Sequence, residues 1–191
     1  MAMPATDTHQ WTADEVRALP EEPGTRFECV DGELLVSPGP SLPHQWVHSL
    51  LLELLAPYCR VTRVGAVSGG LGELELDTFT LVQPDLFVLP LVNGKRAKSQ
   101  EEAGRPLLFV EIRSPSTARH DRVVKRARYQ RYGVEYWIFD ADARLVERWT
   151  PDAARPEILS DALTWQPAGA AVALTIDLPT LFAQALSETD G

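Results

Sequence analysis

Three short pieces of the sequence carry residues able to act together: Pro84-Asp85, Glu111-Ile112-Arg113 and Lys125. Each acid lies in an apolar run of strand length, Leu81-Val82-Gln83-Pro84-Asp85-Leu86-Phe87-Val88-Leu89 and Pro106-Leu107-Leu108-Phe109-Val110-Glu111-Ile112. A carboxylate is rarely buried unless it is paired or holds a metal. Two of them on neighbouring strands, followed by a cationic side chain, suggest a divalent-metal site suited to phosphodiester hydrolysis. That reaction needs a nucleophilic water, neutralisation of the phosphate and stabilisation of the leaving oxygen, and a divalent ion contributes to all three. Mg²⁺ takes oxygen ligands at about 2.0–2.1 Å, typically one or two carboxylates with waters and substrate oxygens. Asp85 and Glu111 offer those carboxylates, and a nearby ammonium can position water or offset developing charge.

Each residue also has a plainer reading. If a helix begins soon after Thr117, then Asp121, Lys125 and Arg128 share one face, and Lys125 can reach inward along its aliphatic stem. Spacing alone favours a surface Lys125 paired with Asp121, a contact of little energetic worth. Asp85 reads equally as a strand-end aspartate after proline, and Glu111 as a partner of a local arginine. His44 and His48 have the i, i+4 spacing of a transition-metal pair. No Glu follows His44 as a metalloprotease motif requires, and two surface histidines are the better reading. His44 could still lie near a phosphate at a helix N-terminus. Glu33 offers a further ligand or a solvent-exposed acid. Ser114, Ser116 and Thr117 would cap a helix or donate to a phosphate. The sequence has no phosphate-binding glycine loop, serine nucleophile elbow or zinc-like cysteine spacing.

The elements that must position these groups follow from local pattern. Thr12-Ala13-Asp14-Glu15 predicts a capping box and a short helix ending near Leu19. Asp31-Gly32 between Phe27–Val30 and Glu33–Val36 predicts a hairpin. A helix is expected from about Pro43 to Tyr58 with Ser41 at its cap, followed by strands over Val61–Val67, Gly72–Leu76 and Leu81–Leu89. Asn93–Arg105 reads as a surface excursion and Leu107–Ile112 as a buried strand. Ser114–Thr117 breaks that strand before a helix from about Arg119 to Tyr132, stopped at Gly133. Strands over Glu135–Phe139 and Leu145–Trp149, an edge strand over Ala171–Ile176 and a helix over Pro179–Leu186 complete the pattern. Core packing is the expected role of Trp137 and Trp149. The order implies a mixed α/β domain with helices on the faces of a central sheet. It comprises a disordered start over residues 1–10, one domain over 11–187 and a tail over 188–191.

Composition agrees with a soluble globular chain: 191 residues, 45% hydrophobic and 24% charged. Cys29 and Cys59 suggest a reduced, cytoplasmic protein, and neither a secretion signal nor a membrane span is evident. The net charge of -9 argues against a general nucleic-acid coat protein but not against a nuclease whose positive charge is local. Arg113, Arg119, Arg122, Lys125, Arg126, Arg128 and Arg131 form one basic stretch after the second acid. That stretch would serve a site or be a solvated helix face.

In order, Phe27–Leu34, the Ser-Pro loop leading to His44, Pro84-Asp85, Val110–Thr117, Asp121 through Lys125 to Tyr129, and Tyr132–Ile138 resemble the Uma-type family of bacterial restriction endonucleases, within the PD-(D/E)XK nuclease superfamily. The likeness runs roughly from Phe27 to Trp149. It implies a restriction-endonuclease-like fold, a central mixed β-sheet flanked by helices, with the N-terminal helix and hairpin beside it. It places Asp85 and Glu111 at the superfamily's metal-binding acids and Arg113 where its lysine normally stands. An arginine does not act as a base, though it stabilises charge. Lys125 resembles the migrated lysine of such nucleases, and Glu33 and His44 match positions near the implied site.

Two functions follow. One is a Mg²⁺-dependent endonuclease (Mn²⁺ also suits the ligands) hydrolysing DNA, with Asp85, Glu111 and Lys125 as its catalytic set. Many nucleases cut both strands as dimers, so a homodimer is a candidate assembly. The alternative is a non-catalytic regulatory relative that keeps the fold and binds a metal or a partner.

Overall fold

The computed structural model describes residues 9–69, 72–113 and 120–186. The expected capping box forms at Thr12, whose hydroxyl accepts from the Glu15 N–H while the Glu15 carboxylate accepts from the Thr12 N–H. It opens α1 (Ala13–Arg17). β1 (Thr25–Val30) and β2 (Glu33–Pro38) pair around Asp31 and Gly32. Both turn residues have positive φ, 51° and 82°, which a tight two-residue hairpin demands. β4 (Leu74–Asp77) and β5 (Thr80–Val82) complete an antiparallel sheet ordered β2-β1-β5-β4.

α2 (Leu42–Thr62) is longer than its pattern suggested and stops at Arg63, with φ 58°. Tyr58 and Cys59 continue the buried stripe begun by Val47, Leu51 and Leu55, so the helix runs on into the segment expected as strand. That strand shortens to β3 (Gly65–Gly69). β3, β6 (Leu86–Pro90), β7 (Leu108–Ile112), β8 (Glu135–Asp140), β9 (Leu145–Trp149) and β10 (Glu157–Leu159) form the central sheet, ordered β10-β9-β8-β7-β6-β3. The sheet is mixed: β7 and β8 run parallel and the other neighbours antiparallel. A parallel pair needs a long crossover, here a π-helical turn over His120–Lys125 leading into α4 (Arg126–Tyr132). Gly133, with φ 76°, ends α4 as expected.

The segment expected as one strand, Leu81–Leu89, is two strands in two different sheets, β5 and β6. Pro84 between them has no N–H to give a ladder, and the chain crosses from the smaller sheet to the larger one there. The polar excursion contains a short α3 (Gln100–Ala103). β11 (Ala162–Trp165) pairs with β12 (Leu174–Asp177) as a separate ribbon leading into α5 (Leu178–Ala185). β12 begins later than expected, and β10 and β11 were not foreseen. Residues 1–8 of the expected disordered start, the tail and the Ser114–Thr117 break lie outside the described residues.

The central strands are buried on both faces, and their side chains alternate between two cores as the strand period requires. Leu86, Val88, Leu108, Val110 and Trp137 pack against Val47, Leu51 and Leu55 of α2 and Phe182 of α5. Phe87, Phe109, Tyr136, Ile138 and Trp149 face the smaller sheet and Tyr129 of α4. Both tryptophans therefore belong to the core. Cys29 and Cys59 are separate buried thiols, and burial pushes Cys59 up to about 11. No helix among the described residues is long and apolar enough to cross a membrane.

Candidate active site

The seam between the two sheets gathers charged side chains that are otherwise rare in a core. On β1, Cys29 packs with Val16 of α1, whereas Val30 joins the core between the sheets. Strand alternation therefore turns Arg26 and Glu28 toward the same inner side as Val30. Glu28 is buried, and its Oε1 accepts the Gln83 N–H at 2.7 Å. That bond satisfies the last main-chain donor before Pro84, just where the chain leaves β5.

Asp85 follows directly. Leu86 is in register with Val110, and carrying the antiparallel ladder one residue further sets Asp85 across from Glu111. Side chains at such opposed positions share a face of the sheet. Asp85 and Glu111 are both 3% exposed. Asp85 Oδ2 accepts the Ile112 N–H at 2.8 Å and lies 2.9 Å from His44 Nε2. Its Oδ1 accepts from Arg26 Nη1 at 3.1 Å, and the same Nη1 donates to the Gln83 carbonyl at 3.1 Å. Burial alone would raise the Asp85 pKa, but the His44 hydrogen bond, the charges of His44 and Arg26 and the Ile112 N–H outweigh it. The carboxyl is held well below the usual range.

Lys125 is not the surface residue that spacing favoured. It is 4% exposed, with Nζ 2.7 Å from Glu28 Oε2 and 2.8 Å from Glu111 Oε1. The Tyr129 hydroxyl, one turn on, donates to Glu111 Oε1 at 3.4 Å. Lys125 closes the π-helical turn, a local widening that is frequent at functional sites.

The surface reading of the two histidines is also overturned. Only 10% of the His44 side chain is exposed, and His48 Nε2 lies 3.1 Å from the Asp85 carbonyl oxygen. Burial lowers the His48 pKa against the attraction of Asp85, so the neutral ring donates to that carbonyl. α2 thus grips Asp85 through both its carboxylate and its backbone.

Arg113 and Glu33 lie elsewhere. Arg113 pairs with Asp140 at the end of β8, and its main-chain N–H donates to the Phe139 carbonyl. Glu33 is exposed and pairs in register with Val30, at the far end of the hairpin from Arg26. Much of the basic stretch stitches the crossover helix to its surroundings. Arg122 binds Asp140 and Glu147, Arg128 binds Asp77 and Asp31, and Arg131 binds Asp31. Arg126 lies 4.8 Å over the Trp149 ring.

Sequence reasoning missed Glu28 and Arg26. Glu28 carries the same signal that marked Asp85 and Glu111, an acid inside an apolar strand run, Phe27-Glu28-Cys29-Val30. Arg26 carries no such signal, because an arginine at a strand's edge is ordinary.

The donors suit a hard divalent cation. Asp85 and Glu111 offer buried carboxylates from where β6 and β7 meet, and Glu28 adds a third acid, with Arg26 and Lys125 as the cations among them. Among the described residues no group of three or more His, Cys, Asp or Glu is arranged to hold an ion by itself. Mg²⁺ needs no such cage, since it keeps waters and borrows substrate oxygens.

The sequence model of the Uma2 family, described as "putative restriction endonuclease", matches residues 13–179. The fold matches the crystal structure of a putative nuclease belonging to DUF820 from Anabaena variabilis, with a TM-score of 0.73 and 22% identity. The match covers 92% of this chain and 99% of that one. At that identity the likeness concerns the fold. No curated protein matches.

Proposed function

The chain belongs to the Uma2 family, whose model spans residues 13–179, and on that premise we propose that it is a divalent-metal-dependent endodeoxyribonuclease. What supports this reading is that Asp85 and Glu111 are both buried, each next to the paired residues Leu86 and Val110, with Lys125 Nζ 2.8 Å from the second acid. Asp85 and Glu111 would hold Mg²⁺ or Mn²⁺, which when bound supplies charge neutralisation at the scissile phosphate and eases deprotonation of the attacking water.

The remaining work falls to this chain's own side chains. Lys125 brings a positive charge to Glu111 and is placed to orient water or offset charge on the phosphate oxygens. Glu28 fixes the ammonium from the other side, and Tyr129 steadies Glu111. His44 and the Ile112 N–H fix one oxygen of Asp85, leaving that carboxylate little rotational freedom, as a metal ligand's outer partners do. Arg113 is committed to Asp140, so Lys125 is the cation we assign to the reaction. DNA is the substrate class this reading names.

The test is cleavage of supercoiled plasmid and single-stranded DNA with Mg²⁺, with Mn²⁺ and with chelator. Cleavage with either ion, lost in chelator and in Asp85→Ala and Glu111→Ala, is expected. Cleavage that persists in chelator or in both variants would refute the proposal. So would a complete lack of turnover with either ion, which would leave the non-catalytic alternative.

A further inference from the structure

Arg26 is the one member of the cluster whose position conflicts with the proposed chemistry. Its Nη1 sits 3.1 Å from Asp85 Oδ1, on an oxygen that a bound cation would take. Asp85 Oδ2 is engaged by His44 and by the Ile112 N–H, so Oδ1 is the oxygen held by a group able to move. Arg26 is also attracted electrostatically by Glu111 and Glu28 as well as by Asp85. It is therefore shared by all three acids.

Charge matching separates its role from that of Lys125. In their ionised forms, Glu28, Asp85 and Glu111 are balanced in full by Lys125 together with one divalent ion. Lys125 and Arg26, with His44 beside Asp85, already offset most of that charge, so a divalent ion added with Arg26 still in place would overshoot. Mobility separates them too. The Lys125 side chain is 5% exposed and lies between two carboxylates, whereas that of Arg26 is 20% exposed and bonds one carboxylate. Arg26 also lines a cavity of about 520 Å³ whose wall carries Glu21 and Glu22. A guanidinium leaving Asp85 has both room and new carboxylates within that cavity.

We propose that Arg26 is an internal counter-ion that occupies the divalent cation's side of Asp85 and swings into the Glu21–Glu22 cavity when the ion binds. The switch offsets much of the acid cluster's charge without metal, which limits repulsion among the buried carboxylates while the site waits. It also sets the metal affinity, because each ion that enters must displace a salt bridge. This inference rests on the metal-dependent reading above.

The experiment is a titration of the full chain with Mn²⁺, without DNA, following unbound Mn²⁺ by electron paramagnetic resonance. Wild type, Arg26→Gln and Arg26→Lys are compared, with thermal melts confirming that each is folded. Arg26→Gln is expected to bind Mn²⁺ at least about tenfold more tightly than wild type, because a competing positive charge is gone. Arg26→Lys, which keeps the charge, should stay closer to wild type. Equal or weaker binding by folded Arg26→Gln, with Mn²⁺ still binding wild type, would overturn the switch and leave the metal reading standing. Absence of Mn²⁺ binding in wild type and variant alike would overturn both. Should Arg26→Gln fail to fold, wild-type protein decides. The Arg26 Nε–Hε resonance, assigned with Arg26→Lys, should move and sharpen on Mg²⁺ saturation, and an unmoved resonance would overturn the switch.

Discussion

The main-chain N–H of Ile112 donates to the carboxylate of Asp85 at 2.8 Å, binding the first acid to the peptide unit beside the second. One hydrogen bond thus ties two positions 27 residues apart in a fixed relation. The bond belongs to no sheet ladder. β6 begins at Leu86, and the Asp85 carboxylate takes the Ile112 N–H where the β6–β7 ladder has ended.

Removing the ammonium should be costly. Lys125→Met leaves Glu28 and Glu111 buried together without their shared cation, and breaking a buried ion pair in this way destabilises by about 3–5 kcal/mol. Urea unfolding should show that loss, with part of it recovered when Glu28→Gln is added. A loss under about 1 kcal/mol would mean the ammonium sits in water instead.

Glu28→Gln by itself keeps an oxygen for the Gln83 N–H while loosening Lys125. Folding should survive, and DNA cleavage should fall by about 10–100-fold, the usual effect of disturbing a group that orients a metal site. Turnover equal to wild type would remove Glu28 from the site.

Arg113→Lys distinguishes the two cations near Glu111. Arg113 pairs with Asp140, so the variant should retain cleavage within about threefold of wild type, while Lys125→Met loses at least about a hundredfold. The reverse ranking in steady-state assays would hand the role to Arg113.

Gly69 is required for space, at ordinary φ. A Cβ there would lie 2.6 Å from Leu86 Cδ2, 2.7 Å from His48 Nε2 and 2.9 Å from the Asp85 carbonyl oxygen. Gly69→Ala should therefore cost about 1–3 kcal/mol by overpacking and push His48 off its carbonyl. Calorimetry showing an unchanged melting temperature would contradict this packing.

Acid stability reports on Asp85. Its folded pKa is depressed, so its contribution is complete above the unfolded value of about 3.9 and is lost as pH falls through that value toward the folded one. The gap in urea midpoint between wild type and Asp85→Asn, measured without metal, should narrow as pH drops from about 5 to about 2. A gap constant across that range would show that Asp85 is not held ionised.

Much of the framework was legible in local pattern, because capping, turns and hydrophobic period are short-range effects. The capping box at Thr12, the Asp31-Gly32 hairpin, the Gly133 stop and the buried strand carrying Glu111 all formed where their residues indicated. Failures came where a segment's partner lay far away. Leu81–Leu89 is apolar apart from Gln83 and Asp85 beside Pro84, and nothing local says that its halves join different sheets. Val61 and Thr62 suit a strand, yet the buried stripe of α2 carries the helix through them.

Acids inside apolar strands marked Asp85 and Glu111 because burying a carboxylate needs compensation, and that cost is visible in one dimension. Which cation compensates is not. Lys125 and Asp121 look like a surface pair from spacing, and His44 and His48 look solvated. Only packing of the π-helical turn against the seam, and of α2 against β6, turns Lys125 and the two histidines toward the acids. Arg26 shows the same division: its identity is plain in the chain, but its hold on Asp85 depends on two sheets meeting. Sequence set the types of charge available, through residue chemistry. Tertiary structure chose their pairings, because Coulomb attraction and hydrogen bonding act over a few ångströms of space regardless of separation along the chain.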